Sequence, residues 1–374
     1  MTTENSSRDI FPWLCLYLVS GVGNVACRKL IEHFGSPEEI FRSSVSELME
    51  AGEIREAVAR KISGKVFSID PEQEMKRAEK VGARIIPFPD SSYPSLLREI
   101  HDPPVLLYTL GKAIPPRQDF IAIVGSRNAT EYGRRAAQKI GMGLAENGIG
   151  VSSGLARGVD AAAHWGCVRG RGFTIAVLGT GVDIRYPRSN EKLFDKVLEQ
   201  GAVVSDFPIG TAPEPKNFPM RNRIISGVSK GTVVVEATRQ SGSLITAGLA
   251  LEQGRDVFAV PGSIDSFKSR GPHFLIKQGA KLVEHAEDIL SELGSLYVPE
   301  KQEENGGEER PGVRLEPEEE RIFHCLGPYP MHIDEIIRST GFEPGETSSI
   351  LTRLELMGLV IQMPGMMFVR AQKS

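Results

Sequence analysis

Five glycine- and arginine-bearing turns in the middle of this 374-residue chain have the residue types that hold an anion. In IAIVGSRNATEYGRRAA an apolar run ends on Gly125-Ser126-Arg127 and opens, through Asn128 and Thr130, into a helical pattern. Glycine lets backbone approach a phosphate, the serine hydroxyl can donate to it, and free N–H groups at a helix start prefer a negative partner. Arg127 adds a planar, permanently charged donor fork. VSSGLARGVDAAAH repeats the arrangement, with Gly154 and Gly158 flanking Arg157. Asp160 is placed there to cap the helix or orient its neighbours, and His164, one turn on, faces either a ligand or the core. VLGTGVDIRYPRSN supplies Gly179, Gly181, Asp183, Arg185, Tyr186 and Arg188. FPMRNRIISG sets Arg221 and Arg223 around Asn222 at the predicted start of an apolar helix. Cations there oppose the helix dipole, so an anion held between them is a reason for both. Finally, VVEATRQSGSLITAGLA puts Ser241-Gly242-Ser243 ahead of another helix, a further anion cup.

The reacting groups that usually accompany such cups are missing. No GxGxxG dinucleotide fingerprint follows the first strand, and there is no Walker lysine. The segment shows no close Ser/His/Asp signature and no cluster of metal ligands. Cys15, Cys27, Cys167 and Cys325 are scattered without a CxxC pair, which argues against structural zinc or a disulfide framework and suits buried thiols in a reducing cytosol. The reading is therefore a binding protein with no catalytic residue, no metal and no cofactor. Several anion cups together suit either a polyanion or a nucleotide.

The elements that position these turns follow from hydrophobic periodicity. DFIAIVG, GIGVSSG, FTIAVLG, AVVSDFP, TVVVEA, DVFAVPG and AKLVE are near-continuous apolar runs, most of them separated by helical stretches such as YGRRAAQKIGMGLAENG and NEKLFDKVLEQG. That alternation predicts an α/β fold: a Rossmann-like, doubly wound, mostly parallel sheet covered on both faces, with ligands at the strand C-terminal ends. Residues 69–298 are assigned to this domain, with 70–118 as an N-terminal extension made of a helix, a strand and a proline-rich approach. Residues 1–68 read as a small helical domain without strand pattern; Ser36-Pro37-Glu38-Glu39 is a helix start. Residues 299–316 are predicted to be an acidic, flexible linker. Three helical patterns and a hairpin in 317–374 predict a winged-helix-like domain, serving DNA or protein contacts; its third helix, read as Thr347 to Met357, offers Arg353 as its one cation.

The net charge is −4, which alone disfavours a nucleic-acid partner, but its distribution is uneven. Residues 300–320 hold nine Glu against three basic residues, whereas residues 121–240 carry sixteen Lys/Arg against ten Asp/Glu. Hydrophobic residues make up 40% of the chain, yet no run approaches eighteen apolar residues and the N-terminus lacks a signal-peptide pattern, so a cytoplasmic protein without a membrane span is expected.

The succession VGSRNATEYG, SSGLARGVDAAAH, VLGTGVDIRYPRSN, FPMRNRIISG, VVEATRQSGSLITAGLALEQGRDVFAVPG and LIKQGA closely resembles the DprA/Smf family (DNA-processing protein A), over about residues 80–285 and in order. The resemblance implies a protein of competence and natural transformation that binds and protects incoming single-stranded DNA, helps load the RecA recombinase, and forms a homodimer through its Rossmann-like domain. It implies a DNA-binding pocket at Gly125, Ser126 and Arg127, extended by Arg188, Arg221 and Arg223; the cups add Gly154, Arg157, Asn222, Ser241, Gly242 and Ser243. Phe218, Tyr186 and Trp165 are candidates for base stacking or for core. GVGNVACRKLIEHFG resembles a helix-hairpin-helix (SAM-like) pattern, in which Gly21 to Asn24 would face a DNA phosphate; a plain helical scaffold is the equal alternative. The chain departs from the family at SRGPHFLIKQGA, where Pro272 and His273 stand in place of a usual Gly-x-Asn. Two other classes compete: a nucleotide-binding or nucleotide-hydrolysing enzyme on the same scaffold, whose PGGxGTxxE loop is missing here, and a protein-binding adaptor whose cups are structural.

Overall fold

A computed structural model describes residues 3–294, 316–326, 331–357, 359–363 and 365–370. The described residues up to 294 form one compact unit and those from 316 onward a second.

The first unit opens with five helices, α1 (Thr3–Leu18), α2 (Asn24–Phe34), α3 (Pro37–Arg42), α4 (Val45–Gly52) and α5 (Glu56–Ser63). Their starts follow capping chemistry: Ser36 accepts the Glu39 N–H ahead of Pro37, and Ser44 with Glu47 forms a capping box. Leu16, Val19, Leu30, Ile40, Leu48 and Ile62 close a small core among these helices. The other face of α1 packs elsewhere: Leu14 and Leu18 lie in a core with Leu106, Tyr108 and Val203 of the sheet. Tyr17 also donates to the Asp206 carbonyl at 2.6 Å.

Next come α6 (Pro71–Lys80), β1 (Arg84–Pro87), α7 (Ser95–Arg98) and β2 (Leu106–Gly111). The α/β alternation proper is β3 (Phe120–Val124), α8 (Glu131–Glu146), β4 (Gly150–Ser153), α9 (Val159–Arg169), β5 (Thr174–Val177), α10 (Glu191–Gln200) and β6 (Ala202–Ser205). It continues through α11 (Asn217–Gly227), β7 (Gly231–Val234), α12 (Gly242–Glu252), β8 (Asp256–Ala259), α13 (Arg270–Lys277), β9 (Lys281–Leu282) and α14 (Ala286–Glu292). The nine strands run in the order β1-β2-β6-β5-β4-β3-β7-β8-β9. From β6 to β9 every pairing is parallel, and β1 and β2 add an antiparallel margin. All residues of β3, β4, β5, β6 and β7 are buried, as strands covered on both faces must be. The doubly wound, mostly parallel sheet is thus as the apolar runs predict. The proline-rich approach, however, contains β2: the strand begins just after Pro103-Pro104, and its LLYT core is buried against β1 and β6. The prolines obscured it because they sit at the strand's entrance, where proline is tolerated.

The second unit holds α15 (Pro317–Cys325), β10 (Met331–His332), α16 (Ile333–Thr340), α17 (Pro344–Leu356), β11 (Val360–Met363) and β12 (Met367–Arg370). Its strands order β10-β12-β11 around a core of Ile322, Ile336, Ile350, Leu354, Val360 and Phe368. This is the winged-helix arrangement. The third helix starts three residues before the predicted Thr347, at Pro344, which suits the first turn. The acidic linker expected at 299–316 lies, except for Glu316, outside the described residues. Among the described residues no helix is long and apolar enough to cross a membrane.

Candidate nucleic-acid interface

Strands β4, β5 and β6 lie successively to one side of β3, and the chain then crosses back to lay β7 on its other side. The turns after β3 and β7 therefore diverge and leave a crevice, the place where open α/β sheets take ligands. A cavity of about 330 Å³ fills it, walled by Gly125 to Arg127, by Ala156 and Asp160, by Phe218, Arg221 and Asn222 of α11, and by Thr238, Ser241 to Ser243 and Thr246. A smaller cavity of about 50 Å³ adjoins it toward β5, with Gly154, Arg157, Gly179, Thr180 and Tyr186 on its wall. Arg127, Ala156, Phe218 and Arg221 line both.

The turns are rigid because each is tied to its neighbour. The Ser126 N–H donates to the Glu236 carbonyl at 2.7 Å, and the Val159 N–H donates to the Ser126 carbonyl at 3.2 Å. Gly158 sits at φ +82, and a Cβ there would lie 2.2 Å from the Ser126 carbonyl oxygen, so only glycine lets β4's turn nest under β3's. Thr130 caps α8 by accepting the Gly133 N–H at 3.1 Å. The buried Glu236 carboxylate holds that cap, accepting the Thr130 N–H at 2.9 Å and the Thr130 hydroxyl. Ser241 caps α12 and shares a 2.8 Å contact with the Ser243 hydroxyl.

The arginines of the site occupy different electrostatic states. Arg127 is exposed, and among the described residues no carboxylate pairs with it; its guanidinium lies 5.2 Å from the centre of the Phe218 ring. Phe218 also meets Tyr186, with ring centres 5.7 Å apart. Arg157 is likewise exposed and without an ion pair among the described residues. Arg221 is buried: its Nη1 donates to the carbonyls of Gly154 (2.8 Å) and Val177, and its Nε to Asn222 Oδ1 at 3.0 Å. A Cβ on residue 154 would sit 2.1 Å from Arg221 Nη2, so the missing side chain of Gly154 makes room for that guanidinium. Burial lowers the Arg221 pKa to about 10, with Asp160 opposing and Arg127 reinforcing the shift. Among the described residues Asp160 is the one acid on either cavity wall. Its Oδ2 accepts the Gly154 and Ala156 N–H groups at 3.2 and 3.4 Å, and burial raises its pKa against the pull of Arg221.

The crevice thus collects Gly125, Ser126, Arg127, Gly154, Arg157, Arg221, Asn222, Ser241, Gly242 and Ser243 on its two cavities. It does not collect Arg223 or Arg188. Arg223 is buried in an ion pair with Asp206 at 2.5 Å and a second with Asp102 at 3.3 Å. Arg188 is exposed on the 3-10 turn before α10; it follows Pro187, which lines the smaller cavity, but is itself on neither wall. Arg221 and Arg223 stand in the second turn of α11 rather than at its start, because the helix begins at Asn217. His164 is a core residue: it is fully buried, shares a 2.7 Å hydrogen bond with Thr174, and burial lowers its pKa to about 3. Trp165 packs against a hydrophobic core cluster, leaving, among the described residues, Phe218 and Tyr186 as the aromatics at the crevice. At the family departure, His273 stands on α13 with its Nε2 3.1 Å from the Gly262 carbonyl in the loop after β8. Sequence reasoning passed over Glu236, Thr238 and Thr246. A lone acid closing the run VVVE was the available signal for Glu236.

Fold and site define a Rossmann-like protein with an open, donor-rich crevice at its switch point, joined in sequence to a winged-helix unit. A family model for DNA recombination-mediator protein A matches residues 84–294, and one for the DprA winged helix domain matches residues 307–366. Protein Smf of Synechocystis is 35% identical over 390 residues, spanning 96% of this chain and 98% of its own. The DNA processing protein DprA of Streptococcus pneumoniae is 46% identical over 204 residues, 54% of this chain and 72% of that one. The X-ray structure of the S. pneumoniae protein superposes with a TM-score of 0.68 at 38% identity, covering 75% of this chain and 97% of that chain. The chain belongs to the DprA/Smf family of DNA-processing proteins.

Proposed function

We propose that this chain grips single-stranded DNA in the switch-point crevice, protects it, and passes it to the RecA recombinase during natural transformation, as a cytoplasmic homodimer that turns over no substrate. The observation that carries this reading is Arg127: an exposed guanidinium with no counter-ion among the described residues, stacked on Phe218 between two adjoining cavities. Successive phosphates meet Arg127, the Ser126 hydroxyl beside Gly125, and the Ser241-Gly242-Ser243 cup, while bases find Phe218 and Tyr186. Arg157 and Arg188 extend the basic surface. Arg221, Asn222 and Gly154 shape the wall, and Arg223 supports the loop behind it. The exposed Phe267, Phe274 and Leu282 along β8–α13–β9 give a second copy an apolar surface, and dimerisation doubles the grip by avidity.

The test is fluorescence anisotropy with labelled oligothymidine and its duplex counterpart at two salt concentrations. Tight, salt-sensitive binding that favours the single strand is the expected outcome; failure to bind either returns the crevice to a small nucleotide. One observation favours that second reading: Asp160, a buried acid with a raised pKa on the cavity wall, is of the kind used in proton transfer. Release of free base from nucleoside monophosphates would establish it.

A further inference from the structure

The sheet has a second polar cavity, at the end of β3 opposite the crevice. It measures about 340 Å³ and its wall includes Ser91, Ser95, Arg98, Arg117, Asp119 and Phe120. Phe120 begins β3 and Val124, on the crevice wall, ends it, so roughly 13 Å of strand separates the two cavities.

The charge in this cavity is unbalanced. Arg98 is half-buried, its guanidinium packed 6.0 Å from the Phe88 ring centre and 5.6 Å from that of Tyr93. Arginine carries five N–H donors. Here Nη2 donates to the Asp90 carbonyl, and the buried Nε meets no acceptor among the described residues. Among the described residues no carboxylate pairs with Arg98 or with the exposed Arg117. Asp119, the one acid on the wall among the described residues, is already engaged by Lys230 at 2.7 Å. A guanidinium partly removed from water without a counter-ion is costly, and an anion arriving between the two arginines removes that cost. The Ser91 and Ser95 hydroxyls stand on the same wall as further donors.

We infer that this cavity is a second phosphate-binding site, in which Arg98 and Arg117 clamp a phosphate group with help from Ser91 and Ser95. The phosphate comes either from a free nucleotide or from the backbone of a bound DNA strand. The inference stands whether or not the crevice binds DNA.

Hydrogen–deuterium exchange on the full chain locates the site directly, with sodium pyrophosphate as the probe. Residues 91–98 and 114–119 should become protected, and Arg117→Ala should weaken that protection by about tenfold in pyrophosphate concentration. Arg98→Gln should do the same; if that variant does not fold, the exposed Arg117 still decides the matter. Repeating the exchange with oligothymidine separates the sources. Protection of the same segments, with a salt slope lowered by about 1 in Arg117→Ala, assigns the phosphate to the strand. Protection by pyrophosphate alone assigns it to a free nucleotide. Protection by neither, or protection confined to residues 125–130 and 238–246, overturns the site, as does an Arg117→Ala profile identical to the parent's.

Discussion

The turn after β3 and the helix α11 wall the same cavity, yet they hold their arginines in opposite conditions. Arg127 on the turn is exposed and keeps its charge for a partner. Arg221 and Arg223 on the helix are 4% and 7% exposed, and their donors are consumed by carbonyls and carboxylates of the protein itself. An arginine's identity thus says little about its use: a guanidinium can neutralise an arriving phosphate or hold a fold together, and its surroundings decide which.

The contrast is broken most severely at Arg223. Arg223→Ala leaves Asp206, itself buried with its pKa raised by desolvation, without a cation. A loss of about 3–5 kcal/mol of unfolding free energy is expected, measurable by urea denaturation. A variant as stable as the parent would place Arg223 outside the fold's support. At Arg127 the outcome should be reversed: Arg127→Glu keeps its melting profile and weakens oligothymidine binding by roughly 100-fold, through loss of a charge-assisted contact and gain of a like charge. Anisotropy and thermal denaturation on the same sample make the comparison.

A third prediction uses the histidine beside Arg221. Unfolded, His164 takes up a proton near pH 6.5; folded, it resists until about pH 3. The unfolded state therefore binds more protons between those values, and stability falls as pH drops below about 6.5, by about 2 kcal/mol at pH 5 from this group. His164→Gln should show a smaller loss between pH 7 and pH 5 in urea titrations. An equal loss in both proteins would trace the acid sensitivity to other groups. The smallest effect is expected on the winged-helix unit. Arg353, the cation of α17, lies 3.5 Å from the buried Glu319, and residues 316–370 hold nine acids against four arginines. Arg353→Ala should change oligothymidine affinity by less than about twofold; a larger drop would bring that helix into the DNA-binding surface.

Much of the fold was legible because its causes are local. Uniformly apolar runs such as IAIV and TVVV announce strands buried on both faces, and Ser36, Thr130 and Ser241 announce helix starts through their own side chains. Strand β2 was hidden by the prolines at its entrance, since proline reads as a break whether it precedes a strand or replaces one. Within the site, the glycine-rich turns were visible, but Glu236 was not: its partner Thr130 lies 106 residues earlier in the chain.

The sequence by itself determined that a doubly wound sheet would carry anion-type turns at its strand ends, because hydrophobic period, caps and glycine positions act over a few residues. Only the tertiary structure decided which arginines stay free. Burial and the presence of a carbonyl or carboxylate within hydrogen-bond reach depend on segments far apart in the chain, as Asp102 and Asp206 do when they claim Arg223 and leave Arg127 to the solvent.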